Sequence, residues 1–191
     1  MLRSKITQYS TLVFTFLFAP SAGILAAIEA PGISAIYLEI PDGDNFQAIE
    51  GEATLQNHEG KIEVLSWSWG IEIADDAATG LPTGKRELSD LSIEKYIDKA
   101  TPLLLHALQY NMLLPEVIIE VIRINPDGGS DYLSLVITLT NAQITSVELG
   151  ESADPGAQLS ELVSFHFEEA HFAYTPLSGI GPFEVHIDNA P

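Results

Sequence analysis

The sequence predicts a mainly β fold of seven or eight strands and one α-helix, which fits a closed or nearly closed barrel. Three observations lead to this prediction. Several runs alternate between apolar and polar side chains, which is the pattern of strands with one buried face. Turn-forming residues separate these runs, most clearly NPDGGS at 125–130, and only residues 101–110 carry a helical pattern. Because 46% of the 191 residues are hydrophobic, the chain can form one domain with a sizeable core.

The first strand is predicted at residues 35–40, AIYLEI. Ile36, Leu38 and Ile40 alternate there and form one apolar face. A polar stretch at 41–60 follows, and its Asp-Gly and His-Glu-Gly turn signals predict a long loop.

The second strand, KIEVLSWSWGIE at 61–72, contains the only two tryptophans of the chain. Its odd-numbered residues form one apolar face: Leu65, Trp67, Trp69 and Ile71. Ile62 and Val64 have the opposite parity, which indicates a bulge or a strand end buried on both faces. Large aromatic side chains in such a strand usually pack in the core. The alternative is that one tryptophan faces outward and contacts a partner subunit.

The helix at 101–110 follows a loop predicted at 75–84. Thr101 is suited to the N-cap and Pro102 to the first helical position. Leu104, Ala107 and Leu108 form its apolar stripe.

The strands after the helix are rich in β-branched residues. They are predicted at residues 117–124, 132–139, 141–149, 162–175 and 183–187. The first two flank the NPDGGS turn and form a hairpin. The long strand at 162–175 changes parity near 168–170, which predicts a bulge, and 183–187 is a short edge strand.

The charge of the chain is strongly acidic, with 27 Asp and Glu against 8 Lys and Arg and a net charge of −19. Such a surface disfavours nucleic acid and anionic membranes as partners. The absence of cysteine excludes disulfides, thiolate zinc sites and thiol nucleophiles.

Residues 1–27 are typical of a signal peptide or an N-terminal anchor. Arg3 and Lys5 form a basic start, an apolar core follows at 11–19, and cleavage is expected after Gly23 or near Ala27. The uncharged span from Ile6 to Ile28 is also long enough to cross a membrane and serve as an uncleaved anchor. Cleavage would give an exported protein, periplasmic or secreted, with residues 28–191 as its one domain and no stable membrane insertion.

Motifs for catalysis, cofactors or metals are not found, so no enzymatic activity and no catalytic, cofactor-binding or metal-ligating residue is expected. The run HFEEAH at 166–171 is one residue too long for H-E-x-x-H and lies in a predicted strand. Residues five apart on a strand point to opposite faces, so His166 and His171 are not expected to share a metal. The chain has no G-x-S-x-G run, phosphate-binding glycine loop or dinucleotide fingerprint.

Four blocks of the chain resemble, in the same order, the hemolysin-coregulated protein (Hcp) family. They are IEVLSWSWGI at 62–71, LSIEKYIDKATPLLLHAL at 91–108, YLSLVITLTNAQITSVELG at 132–150 and LVSFHFEEAHFAYTP at 162–176. The resemblance implies a mainly β, Hcp-like fold, a small β-barrel of two sheets with one flanking α-helix. It also implies a type VI secretion tube protein that forms homohexameric rings, which stack into a tube and can carry effectors or meet other components of the machine.

The loop at 49–61 looks like the extended loop with which this family reaches the neighbouring ring. The residues that we expect at subunit interfaces lie in this loop and in the tryptophan strand: Glu50, Glu52, Leu55, His58, Trp67 and Trp69. The alternative is a stand-alone exported β-barrel that binds a partner and does not assemble into a tube.

Overall fold

The fold is described by a computed structural model, which covers residues 32–43, 46–75, 80, 82–150 and 158–189. These residues belong to one compact unit, Pro31–Pro191. The signal peptide or anchor expected at 1–27 lies outside the described residues. No helix in the described ranges has the length and hydropathy needed to cross a membrane.

Eleven strands and one helix make up the described part of the chain. They are β1 (Ile33–Glu39), β2 (Ile62–Glu63), β3 (Ser66–Ser68), β4 (Ile71–Asp75), β5 (Pro82–Leu88), β6 (Leu91–Tyr96), α1 (Thr101–Gln109), β7 (Leu114–Arg123), β8 (Tyr132–Leu149), β9 (Ser160–His166), β10 (Glu169–Tyr174) and β11 (Phe183–Asp188). The mainly β fold with a single helix is therefore confirmed.

The main sheet has nine strands, and its central path runs β2-β1-β7-β8-β9-β6-β3. All its ladders are antiparallel. Residues 135–140 of β8 also pair with β10, and β10 pairs on its other side with β11. A second, two-stranded sheet consists of β4 and β5.

The main sheet does not close completely into a barrel, because its strands form an open path. Its two ends, β2 and β3, are consecutive in the chain. Val64 N donates to Ile36 O of β1 at 2.9 Å, whereas Leu65 N donates to Glu94 O of β6 at 2.8 Å. One short segment therefore changes its partner strand at this point, and this change explains the parity shift seen in the sequence.

Three element boundaries differ from the predictions. The strands expected at 132–139 and 141–149 form one 18-residue strand, β8, in which Asn141 adopts φ 51°. This local left-handed residue lets the strand bend without ending, and asparagine tolerates the conformation better than most residues. The single strand expected at 162–175 is instead interrupted after His166 and becomes β9 and β10. The loop expected at 75–84 is shorter, since β5 begins at Pro82.

Helix α1 packs against β8 through its buried face. Leu104 and Ala107 are buried and Leu108 packs against the core, as the stripe predicted. The start of the helix differs from the prediction: Ala100 is the N-cap residue, and no side chain caps the helix. Thr101 is buried instead, since its hydroxyl is used in a polar cluster described below.

Candidate subunit-contact surfaces

The loop at 49–61 folds into a tight hairpin. Gly51 N donates to Gly60 O at 2.8 Å, Gly60 N to Ala53 O at 2.9 Å, and Ala53 N to Lys61 O at 3.1 Å. Gly51 is required by close approach, because a Cβ there would lie 2.4 Å from the Cα of Ile62. The base of the loop is thus part of the folded domain.

Charged and aromatic contacts fix the returning arm of this loop to the outer face of β1 and β7. The Lys61 ammonium lies 2.7 Å from Glu120 Oε2 and 2.8 Å from Glu39 Oε2. The His58 ring stacks on Tyr37, with centroids 4.5 Å apart and planes 10° apart. His58 Nδ1 lies 3.2 Å from Glu120 Oε2, without the alignment of a hydrogen bond.

These contacts shift two pKa values upward. Burial lowers the pKa of Lys61, but its hydrogen bonds with Glu120 and Glu39 outweigh that effect and raise it overall. Burial, with a smaller contribution from Glu63, raises the pKa of the Tyr37 phenol. Both groups therefore stay protonated further into the alkaline range than an ordinary lysine or tyrosine.

The tip of the loop is its free part. Leu55 is 53% exposed at the turn, and it is the one large apolar side chain there. On the first arm, Glu50 Oε2 lies 3.1 Å from the Lys99 ammonium, and Glu52 Oε1 accepts from the Lys99 backbone N–H at 3.3 Å. Leu55 is consequently the loop residue best placed to contact another subunit.

Both tryptophans pack against the core and retain some exposed surface. Trp67 is paired with buried Ile93 of β6. The Trp69 ring lies 6.2 Å from that of Phe167 and 5.1 Å from that of Phe172. The six predicted interface residues therefore lie in three places. Glu50 and Glu52 contact Lys99, Leu55 and His58 lie at the tip and on the returning arm of the loop, and Trp67 and Trp69 pack against the core.

Hairpin β4–β5 presents two exposed apolar side chains that are not among the predicted interface residues. Ile71 and Ile73 of β4 are both exposed, with Ile73 at 56%. The base of the hairpin is fixed by Ser89, whose hydroxyl accepts from Gly70 N at 2.9 Å. An isolated two-stranded sheet is marginally stable alone, so a neighbouring chain could stabilise this one.

Edge strand β11 is the second apolar surface that we did not predict as a contact. Phe183 and Val185 are 60% and 51% exposed, and they share a face with Phe172 and Tyr174 of β10. Strand β11 pairs only with β10 among the described strands. The strict alternation of FEVHID was the available signal, because it places every apolar residue on one face.

A buried polar cluster links α1 to β6 and β9. The Lys95 ammonium donates to Glu161 Oε1 at 2.6 Å, Asp98 Oδ1 at 2.7 Å and Tyr96 O at 2.8 Å. Thr101 Oγ1 donates to the same Glu161 oxygen at 2.9 Å. Lys95 and Glu161 are fully buried, so the cluster fixes the start of the helix and is not open to a substrate.

The two histidines of HFEEAH lie on different strands and have different neighbours. His166 ends β9, and its Nδ1 lies 3.1 Å from Asp90 Oδ1. His171 lies on β10 and stacks on His186 of β11. Their side chains are separated because β9 ends at His166 and a new strand, β10, begins at Glu169.

Sequence comparison places this chain among known relatives. The family described as "Type VI secretion system effector, Hcp" matches residues 37–174. The chain is 31% identical over 135 residues to "Protein hcp1" of Pseudomonas aeruginosa, which covers 70% of this chain and 82% of that protein. It is 30% identical over 131 residues to the "Major exported protein" of the same species, covering 67% of this chain and 73% of that protein.

Comparison with solved structures gives the same fold. The Hcp1 protein from the E. coli EAEC 042 pathovar aligns with a TM-score of 0.71 over 81% of this chain and 97% of that chain. The two sequences are 23% identical, so this match concerns the fold alone.

Proposed function

We propose that this chain, which belongs to the Hcp family of type VI secretion proteins, is a structural subunit of a ring built from six copies. Rings stack into a hollow tube that can hold effector proteins. The role is structural, not catalytic, and self-association comes before any contact with other components of the secretion machine.

The observation that carries this proposal is the apolar edge strand β11. Exposed apolar side chains on an unpaired edge favour association, because a second chain can cover them and extend the hydrogen bonding. A ring needs heterologous contacts, in which one surface of a subunit meets a different surface of the next. The exposed face of hairpin β4–β5, with Ile71 and Ile73, is suited to be the complementary surface.

Export of the protein is part of the proposal. The relative named "Major exported protein" supports export in general. We infer further that residues 1–27 direct it to the periplasm or the exterior and are then removed. The intact mass of protein recovered from the periplasm or medium checks this: loss of 23 to 27 residues is expected, and a full-length mass would indicate an anchor.

The contact surface is tested by comparing two variants in sedimentation velocity. Phe183→Ser removes the exposed ring from β11, and Tyr110→Ser removes a ring that is 63% exposed at the end of α1. We expect Phe183→Ser to shift the hexamer toward monomer, with an association constant lowered by about 10-fold or more per interface. Tyr110→Ser should sediment like the wild type.

Two results would contradict the proposal. Equal hexamer content in both variants would show that β11 is not the ring contact. A wild-type protein that is monomeric throughout would favour the stand-alone exported module that binds a different partner.

A further inference from the structure

We propose that the outer face of hairpin β10–β11 is a binding site for a divalent transition-metal ion, with His171, His186 and Glu184 as ligands. The ion would be one that prefers imidazole and carboxylate together, such as Zn²⁺. This site is independent of the ring proposal.

The strand register brings these ligands together. His171 of β10 is directly opposite His186 of β11, and Glu184 is opposite Ala173. Side chains at alternate positions of a strand share a face, so His186 and Glu184 lie on the same side as His171. The other face of the hairpin carries the apolar residues, and the site therefore does not compete with the core.

The distances suit a site that closes on an ion. One ligand atom from each residue lies within 4.8 Å of the other two. The imidazole centroids are 4.1 Å apart with planes 9° apart, and His171 Nε2 is 3.7 Å from Glu184 Oε2. Tetrahedral Zn²⁺ with bonds of about 2.0–2.1 Å needs ligand atoms roughly 3.4 Å apart. Side-chain rotations of two exposed ligands, Glu184 and His186, can supply that contraction.

One atom of the site lacks a hydrogen-bond partner in the described part of the chain. His171 Nε2 is buried, yet no hydrogen-bond partner for it is found among the described residues. A buried polar atom without a partner is costly, and coordination to an ion would satisfy it. Glu169 and Asp188, paired opposite each other one position along the same face, add negative charge that favours a cation.

The site extends beyond the part of the chain that matches the family. That match ends at residue 174, whereas Glu184 and His186 lie in β11. The ion would therefore join an edge strand outside the matched region to β10 inside it. Three protein ligands leave a fourth position for water or for a group from another chain.

The test is a calorimetric titration of the purified full protein with Zn²⁺, with equilibrium dialysis to count bound ions. We expect one saturable Zn²⁺ per chain, and affinity lowered by at least about 10-fold in His186→Ala and Glu184→Gln. His166→Ala is the matched control, since His166 is another exposed strand histidine beside a carboxylate. Its affinity should equal that of the wild type.

Other results would overturn the proposal. Absence of saturable binding would do so, as would equal affinity in His186→Ala and the wild type, which would indicate diffuse binding to the acidic surface. Equal affinity for Mg²⁺ and Zn²⁺ would also contradict it, because Mg²⁺ prefers oxygen ligands and a site with two histidines should bind Zn²⁺ more tightly. The oligomeric state of each variant is measured in parallel, so failure of the metal site is distinguished from failure of ring assembly.

Discussion

Lys95 carries its charge into the protein interior, where Glu161 and Asp98 balance it at 2.6 and 2.7 Å. Its ammonium group donates to Glu161, Asp98 and the Tyr96 carbonyl, and Thr101 Oγ1 is a fourth, longer acceptor at 3.4 Å, so each of its N–H donors has a partner. Such a pair is costly to break, because removing one member leaves the other charge buried and uncompensated.

We therefore expect Lys95→Ala to lower the free energy of unfolding by about 3–5 kcal/mol. Lys99→Ala is the matched control four residues away. It breaks a solvent-exposed pair with Glu50, and we expect it to cost less than about 1 kcal/mol. Urea denaturation of both variants measures the difference, and equal losses would contradict the assigned role of the buried cluster.

The Lys61 and Tyr37 groups predict a loss of stability at alkaline pH. Both have a pKa raised above the ordinary values of 10.5 and 10.0. A raised folded-state pKa gives stability that is complete below the unfolded value and is lost as pH rises through the folded value. Stability contributed by Lys61 should thus persist to about its ordinary pKa and decline above it.

The expected result is that Lys61→Met unfolds more easily than the wild type at neutral pH, and that the gap narrows above the ordinary lysine pKa of 10.5. Thermal unfolding across this range checks it, with Lys99→Met as the control for general loss of a positive charge. If the difference in stability between Lys61→Met and the wild type did not change with pH, the charge of Lys61 would make no contribution to stability.

At the residue scale, the sequence predicts positions better than contacts. Parity places Lys95 on the same face as buried Leu91 and Ile93, so its burial was readable from the run LSIEKY. Its partner Glu161 lies 66 residues away and comes from another strand, and no local pattern indicates that pairing. The pairing of His171 with His186 was hidden for the same reason.

At the scale of elements, the loop at 49–61 has a base that is fixed to the domain and a tip that is exposed. A test of the loop's role in ring stacking must change the tip and leave the base intact. Deleting the whole loop would expose Tyr37, since His58 stacks on its ring. A substitution at the tip tests ring stacking without this damage.

We expect Leu55→Asp to leave the free energy of unfolding within about 0.5 kcal/mol of the wild type and to reduce the stacking of rings. His58→Ala is its counterpart at the base, and should lower stability by about 1 kcal/mol through loss of the aromatic stack. Denaturation gives stability, and electron microscopy of concentrated samples gives the proportion of stacked rings. Unchanged stacks in Leu55→Asp would exclude the tip as the ring-to-ring contact.

Elements with long, regular patterns were predicted well, and elements that change partner were not. The stripe of α1 and the strands β7 and β11 follow directly from periodicity. Two features depend on the partner strands: the split between β9 and β10, and the continuity of β8 where two strands were expected. Strand β8 continues through Asn141 because β7 pairs with it on both sides of that residue. Such pairing is long-range and leaves little local signal.

At the scale of the whole molecule, charge opposes assembly. The full chain has a net charge of −19, and removal of residues 1–27 takes away Arg3 and Lys5 and leaves 6 − 27 = −21, so copies in a ring repel one another at low ionic strength. Salt shortens the range of this repulsion, with a screening length of about 10 Å at 0.1 M and about 3 Å at 1 M. The intersubunit contacts proposed for β11 and hairpin β4–β5 are apolar and are not weakened by salt, so we expect them to dominate at high ionic strength.

The most direct test of ring assembly is the molar mass of the purified wild-type protein, measured by light scattering after size-exclusion chromatography at low and high salt. We expect a mass six times that of one chain, with a hexamer fraction that is equal or greater at high salt. A monomer at both ionic strengths would contradict it, because the fold of the family would then be present without its assembly.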